Sequence, residues 1–303
     1  MSSSRPRGRL RRAAAQALAT ERSSDEQIWE VVQLARHQDR PYTLDYIDRL
    51  TSDFEELHGD RLYRDDAAIV AGIGRYHDRP VAIIGHQKGR DTADRTYRNF
   101  GMPGPEGYRK GTRLMAFAEK MQMPVITLID TPGAFPGADA EQRGQGGAIA
   151  SSIRAMLRLS VPSVAVIIGE GSSGGALAIA SADRVLMLEN STYSVISPEG
   201  GSAILWRDAA KAQAAAAAFQ PTADLCYRWG VADAVVPEPD GGAHRDHDAA
   251  AQLLDRYINR ALKELGEMPA GERRRRRADR YRRLGSHREL NPLAPQEPPA
   301  TAD

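Results

Sequence analysis

The stretch Gly169-EGSSG-Gly175 sets a hydroxyl among closely spaced glycines, and three chemistries suit it. Read as Gly171-SSG-Gly175 it fits G-x-S-x-G, which would put Ser173 on a tight strand-to-helix turn as a nucleophile. Read as Gly169-EGSS-Gly174 it has the G-x-G-x-x-G spacing of a dinucleotide fingerprint, with the acidic Glu189 at roughly the required offset. The third chemistry uses no side chain. Adjacent backbone N–H groups at Gly174 and Gly175 could hold an oxygen that becomes negative during reaction, and losing one such donor typically costs about 10²- to 10³-fold in rate. A Walker loop is excluded, because Ala176 and Leu177 stand where Lys and Ser or Thr would be needed.

Two further glycine turns follow apolar runs, Gly85-HQKG-Arg90 and Thr131-PGAFP-Gly137. Glycine lets a backbone approach a ligand closely, and a helix opening after such a turn aims unpaired N–H groups at it. Lys88 and Arg90 could attract a carboxylate or phosphates, or could be a solvated loop pair. A hydrolase would need a base for Ser173. The histidines that come after it in the chain, His244, His247 and His287, stand in polar or basic stretches. The dinucleotide spacing occurs deep in the chain and not after a first strand. The amide pair is therefore the preferred chemistry.

Short apolar runs alternating with helical stripes supply the elements that must position these turns. Ser24-DEQ has a capping-box pattern ahead of Ile28, Val31, Val32 and Ala35, and Thr43 is expected to cap a helix carrying Leu44, Ile47 and Leu50. Ala67–Gly74 and Val81–Gly85 read as a strand pair across the turn at 76–80. Asp91–Gly107 reads as a long polar loop, and a stripe of Leu114, Phe117, Ala118 and Met121 marks a helix over 105–122. Strands at 124–130 and 164–168 flank a helix carrying Ile149, Ile153, Met156 and Leu157. A helix from Gly174, strands at 184–188 and 193–196, and an alanine-rich helix over 203–219 complete an α/β pattern.

The motifs lie in the order of a known family. Gly85-HQKG-Arg90, Arg98-NFGMPGPEGYR-Lys110, Ile129-DTPGAFPGADAEQRG-Gln145, Ile168-GEGSSGGALA-Ile179 and Tyr193-SVISPE-Gly200 closely resemble the α subunit of bacterial acetyl-CoA carboxylase carboxyltransferase, from about Trp29 to Arg245. The resemblance implies a crotonase-like spiral of β-β-α units with flanking helices. It also implies transfer of a carboxyl group from carboxybiotin, held on a biotin carboxyl carrier protein loaded by biotin carboxylase, to acetyl-CoA. The product is malonyl-CoA, for fatty-acid synthesis. The implied assembly is an α2β2 heterotetramer with a β subunit that carries the zinc, no metal being expected in this chain. By the same resemblance Gly174 and Gly175 are the donors facing biotin, and Gly133, Ala134 and Phe135 line the cavity. The sequence departs from the family pattern in a short N-terminal arm, in Ser172 where glycine is common, and in Gly201-Ser202 where Cys-Ala is usual.

Length and charge set the remaining bounds. The 303 residues, 41% hydrophobic, suffice for one large α/β domain. The lone Cys226 excludes an intrachain disulfide and fits a cytoplasmic setting. No apolar run has the length of a membrane span. Residues 1–20 carry five arginines and no acid, and 272–283 carry eight arginines against two acids, so the chain between them is acidic despite a net charge of +1. Nucleic-acid binding is therefore expected, if anywhere, only at these ends. The expected organisation is a disordered leader over 1–23, transit-peptide-like in composition, a catalytic domain over 24–266, and an Arg-rich tail over 267–303.

Overall fold

The computed structural model describes residues 25–285, so the leader, Ser24 with its capping box, and His287 lie outside the described residues. Helix α1 spans residues 25–35 and α2 spans Thr43–Leu50. Thr43 does not cap α2. Tyr42 holds the cap position and donates its N–H to Asp45 (2.7 Å), while Thr43 Oγ1 donates to the His86 carbonyl (2.6 Å). Strand β1 (Ser52–Glu56) leads to the hairpin of β2 (Ile69–Tyr76) and β3 (Arg79–His86). His77 and Asp78 between them both have φ near +50 to +60°, as a two-residue primed turn requires.

The stretch expected as a loop is folded. It holds α3 (Thr92–Tyr97), capped by Asp91, then a 3₁₀ turn at Asn99–Gly101 and the start of α4 (Pro105–Met121). On α4 the buried face is Tyr108, Gly111, Leu114, Met115 and Ala118, whereas Phe117 and Met121 are exposed. The buried stripe is therefore rotated from the expected one, because small residues and a tyrosine fill the side that meets the sheet. Next in the chain are strand β4 (Val125–Thr131), α5 (Ala138–Gln142), α6 (Gln145–Arg158), β5 (Ser163–Ser172) and α7 (Ser173–Ala180). Leu157 of α6 is exposed as well. Then come β6 (Arg184–Leu188), β7 (Thr192–Ser194), α8 (Pro198–Trp206), α9 (Ala212–Phe219), α10 (Ala223–Arg228), β8 (Ala234–Val236), α11 (His247–Gly266) and α12 (Ala270–Arg283). The alanine-rich helix is thus two, broken where Arg207 turns left-handed (φ 54°) and Asp208 accepts from the Ala210 N–H.

One sheet runs β1-β2-β3-β4-β5-β6-β8, antiparallel over its first three strands and parallel thereafter, with β7 also on β5. Its faces alternate. Ala82, Ile84, Val125 and Ile129 pack with Leu114, Met156 and Ile179 of α4, α6 and α7, and Val81, Ile83, Ile126 and Leu128 pack with Ile47, Leu254 and Ile258 of α2 and α11. Burial on both faces is what makes the central strands continuous apolar runs.

The Arg-rich segment is no tail up to residue 283. Arg273, Arg277 and Arg280 recur at helical spacing on one side of α12 and point inward. Arg277 pairs with Asp183 (2.7 Å) and donates to the Met156 carbonyl; Arg273 donates to the Leu265 carbonyl (2.7 Å). These carbonyls belong to the last turns of α6 and α11, which lack intrahelical donors. The expected boundary at 266/267 is corrected accordingly: α12 is part of the body, and only its other face presents Arg274, Arg275, Arg282 and Arg283 to solvent. No helix among the described residues is long and apolar enough to cross a membrane.

Candidate active site

Two of the three glycine turns meet at the C-terminal ends of β4 and β5. Ser172 ends β5 and serves as N-cap of α7 without a side-chain bond, so the first-turn N–H groups at Ser173, Gly174 and Gly175 receive no cap from it. Gly175 is buried against the other turn. A Cβ there would lie 2.6 Å from the Gly133 carbonyl carbon and 3.0 Å from its Cα, so only glycine allows the two backbones to touch. Gly174 is half-buried and has only Ile149 near it, at 3.5 Å from an added Cβ. In the facing turn Gly133 has φ +144° and its N–H is held by Thr131 Oγ1 (3.0 Å). The Phe135 N–H donates to the Pro103 carbonyl (2.9 Å), whereas the Ala134 N–H between them has no acceptor among the described residues.

The expected site residues therefore divide. Gly133, Ala134, Gly174 and Gly175 come together. Phe135 faces elsewhere, lining a polar cavity of about 380 Å³ with Arg64, Tyr97 and Arg143. Lys88 is inside the protein: its Nζ lies 2.8 Å from Asp130 Oδ1 and 2.8 Å from Glu170 Oε1. Burial would lower its pKa, but the two carboxylates override this and raise it, so it is a fixed cation. Arg90 pairs with Asp45, donates to the Gln38 and Arg40 carbonyls and lies over the Tyr42 ring. Both cations are matched by carboxylates within the chain.

Ser173 has the strained backbone of an elbow, with φ +58°, and its side chain is exposed. It borders an apolar cavity of about 300 Å³ walled by Leu177, Val195, Tyr193 and Tyr281. The described histidines that follow Ser173 in the chain are engaged elsewhere. His244 stacks on His37 at 4.0 Å and His247 bonds the Asp39 carbonyl (2.7 Å). His86 is closer in the fold but fully buried; burial and Lys88 push it down to about 3, leaving a neutral imidazole at neutral pH. The turn therefore has nucleophile geometry without a base, and Glu189, the acid of the dinucleotide spacing, accepts the Glu238 N–H (3.0 Å) away from the turn.

Sequence reasoning missed the charged network behind the turns. Arg36 binds Glu170 (2.8 Å) and Glu199 (2.8 Å), and Arg40, almost wholly buried, pairs with Glu238 (2.6 Å). Burial would raise the Glu170 pKa, but Lys88 and Arg36 outweigh it and hold the group below its ordinary value; Asp130 stays above its own because burial prevails there over Lys88. The only trace in sequence was that charged residues stand next to the apolar runs.

The chain matches, over residues 8–285, the family model described as acetyl co-enzyme A carboxylase carboxyltransferase-like. It is 56% identical over 256 residues to the acetyl-coenzyme A carboxylase carboxyl transferase subunit alpha of Geobacter sulfurreducens, covering 84% of this chain and 80% of that one. Identity is 52% over 263 residues to the protein of that name in Halalkalibacterium halodurans, covering 87% and 81%. Among solved structures it resembles transcarboxylase 12S (TM-score 0.62, 21% identity, 79% of this chain and 44% of that one). It also resembles the β subunit of Pseudomonas aeruginosa geranyl-CoA carboxylase (TM-score 0.58, 18% identity, 80% and 46%). The chain spans less than half of each of these two, which share its crotonase-like fold.

Proposed function

The chain belongs to the family of acetyl-CoA carboxylase carboxyl transferase α subunits, and from that premise we propose that the apposed turns at Gly133–Ala134 and Gly174–Gly175 hold the negative charge that develops as a carboxyl group passes from carboxybiotin to acetyl-CoA. The observation that carries this reading is the contact itself: the Ala134 N–H, without an acceptor among the described residues, stands beside an uncapped helix start, at a distance that admits no side chain on Gly175. When bound, carboxybiotin supplies the carboxyl group and a base for the acetyl methyl proton. The residues of this chain act by position. First-turn N–H groups donate to the oxygen that gains charge. No proton transfer is asked of Ser173.

The site is completed, in this proposal, by a zinc-bearing β subunit in an α2β2 assembly, with acetyl-CoA held mainly there. A biotin carboxyl carrier protein charged by biotin carboxylase delivers the carboxyl group in the cytoplasm. Support comes from large apolar side chains left exposed, Val195 just after β7 at the apolar cavity and Ile204, Leu205 and Trp206 at the end of α8, of the kind that partners cover.

The test is to co-express the chain with a β subunit bearing a four-cysteine zinc ribbon and assay malonyl-CoA. The pair should be active and the chain alone inactive. Ser173→Ala should keep most of the activity and Gly175→Val should abolish it. Complete loss in a folded Ser173→Ala pair would instead favour a serine nucleophile.

A further inference from the structure

Strand β5 does not run straight to the site. Its register against β4 places Ile129 opposite Ile167 but Thr131 opposite Gly171, so the single residue Asp130 faces Ile168, Gly169 and Glu170. Two extra residues bulge there. The bulge is also where β5 changes neighbour: Val164–Ile167 pair with β6, and Glu170–Ser172 pair with β7. Bulges bend and twist a strand and re-aim the chain beyond them. Just beyond this one stand Ser172, the cap of α7, and the Gly174–Gly175 amides.

Two polar groups of the bulge, the Glu170 N–H and the Ile168 carbonyl, have side-chain partners from distant segments. Asp130 Oδ1 accepts the Glu170 N–H (3.0 Å) and also faces Lys88 Nζ. Lys88 in turn grips the Glu170 carboxylate, so one ammonium spans the carboxylates from both sides of the bulge. The Ile168 carbonyl accepts from Arg40 Nη2 (2.9 Å) and Nε (3.2 Å), and the other edge of that guanidinium rests on Glu238. Gly169 makes room: a Cβ there would lie 2.7 Å from Asp130 Cγ. The stem of Lys88 is itself confined, since a Cβ on Gly101 would lie 2.7 Å from its Cγ.

We propose that Asp130, Lys88 and Arg40 are positioning residues that clasp this bulge and thereby fix where the Gly174 and Gly175 amides point. The proposal rests on the carboxyl-transfer reading of those amides. It makes Lys88 a brace and not a ligand for carboxylate or phosphate. Loss of Asp130 removes the acceptor for the Glu170 N–H. Loss of Lys88 alone leaves Asp130 buried without its cation beside Glu170, which keeps Arg36, while a neutral acceptor at position 130 removes the stranded charge and keeps the clasp.

The experiment uses the α and β pair in steady-state malonyl-CoA assays, with melting curves for every variant. Asp130→Ala should lower kcat by about 10²-fold, the scale of a misplaced transition-state donor, with KM for acetyl-CoA and the biotin carrier within about threefold. Lys88→Met should lose activity similarly, and adding Asp130→Asn to it should recover kcat to within about tenfold of the unaltered pair. Hydrogen exchange at the Glu170 amide should be fast in Asp130→Ala and slow in the double variant. A double variant as inactive as Lys88→Met with sharply raised KM would overturn the proposal, because Lys88 would then touch ligand. Full kcat in a folded Asp130→Ala would overturn it too. If the unaltered pair makes no malonyl-CoA, the functional reading fails by itself, and Glu170 exchange still reports whether the clasp exists.

Discussion

Gly174 and Gly175 are neighbours of one residue type with different reasons for being glycine, and substitution separates them. At Gly175 a methyl group would strike the Gly133–Ala134 backbone, which cannot swing aside as a side chain would. Gly175→Ala should therefore push the two turns apart and lower kcat of the α and β pair by about 10²-fold. Gly174 meets only the flexible Ile149, and it lies in a helix, where alanine is favoured over glycine by about 1 kcal/mol. Gly174→Ala should fold with an unchanged or higher melting temperature, so activity lost there reports on access to the amides. Cys226 makes a contrast: burial pushes its thiol up to about 12, and it should resist alkylation until the chain unfolds.

At the scale of the element, α12 shows how charge can be a packing residue. Arg277 and Asp183 are both almost fully buried and bonded to each other, so removing one partner strands the other. Arg277→Met should destabilise the protein by about 3 to 5 kcal/mol, measured by denaturant unfolding. Arg275→Met, on the exposed side of the same helix, should change stability by no more than about 0.5 kcal/mol. The comparison also says where the chain can be shortened. A deletion starting at residue 272 would remove Arg273 and Arg277 from the ends of α11 and α6 and should destabilise the body, not merely remove a basic appendage.

For the whole molecule, buried carboxylates and the buried His86 set the response to pH. Burial would raise the pKa of Glu238, but Arg40 outweighs it and depresses the group below the ordinary 4.5; Glu170 has the same sign. A depressed carboxylate contributes stability in full above its unfolded value and loses it as pH falls through the folded one. Asp130, raised by burial, acts in the opposite sense and favours the folded state toward acid. His86, pushed down to about 3 by burial, contributes stability that is lost as pH falls below the ordinary imidazole value of about 6.5, and with two carboxylates against one at this corner the loss should steepen below about pH 4.5. Glu238→Gln should reduce that dependence in unfolding curves taken across pH.

The local pattern of residues determined the α/β alternation, the hairpin, the glycine turns and, through the order of the motifs, the family. Each depends on neighbours a few positions away, which a linear reading can see. The close backbone approach at Gly175 was legible because a glycine after an apolar strand is a common mark of one. What the chain could not disclose alone was the function of its charges. Lys88 and Arg90 look like ligands for an anion until Asp130, Glu170 and Asp45 arrive from distant segments to match them. Arg273 and Arg277 look like a solvated tail until they cap two helices. The same holds for the bulge in β5, since register is a relation between strands: Gly169 hinted at a close approach, but only the pairing with β4 showed that Asp130 makes it. Coulomb partners and strand register are set by contacts across the fold, and tertiary structure alone decided them.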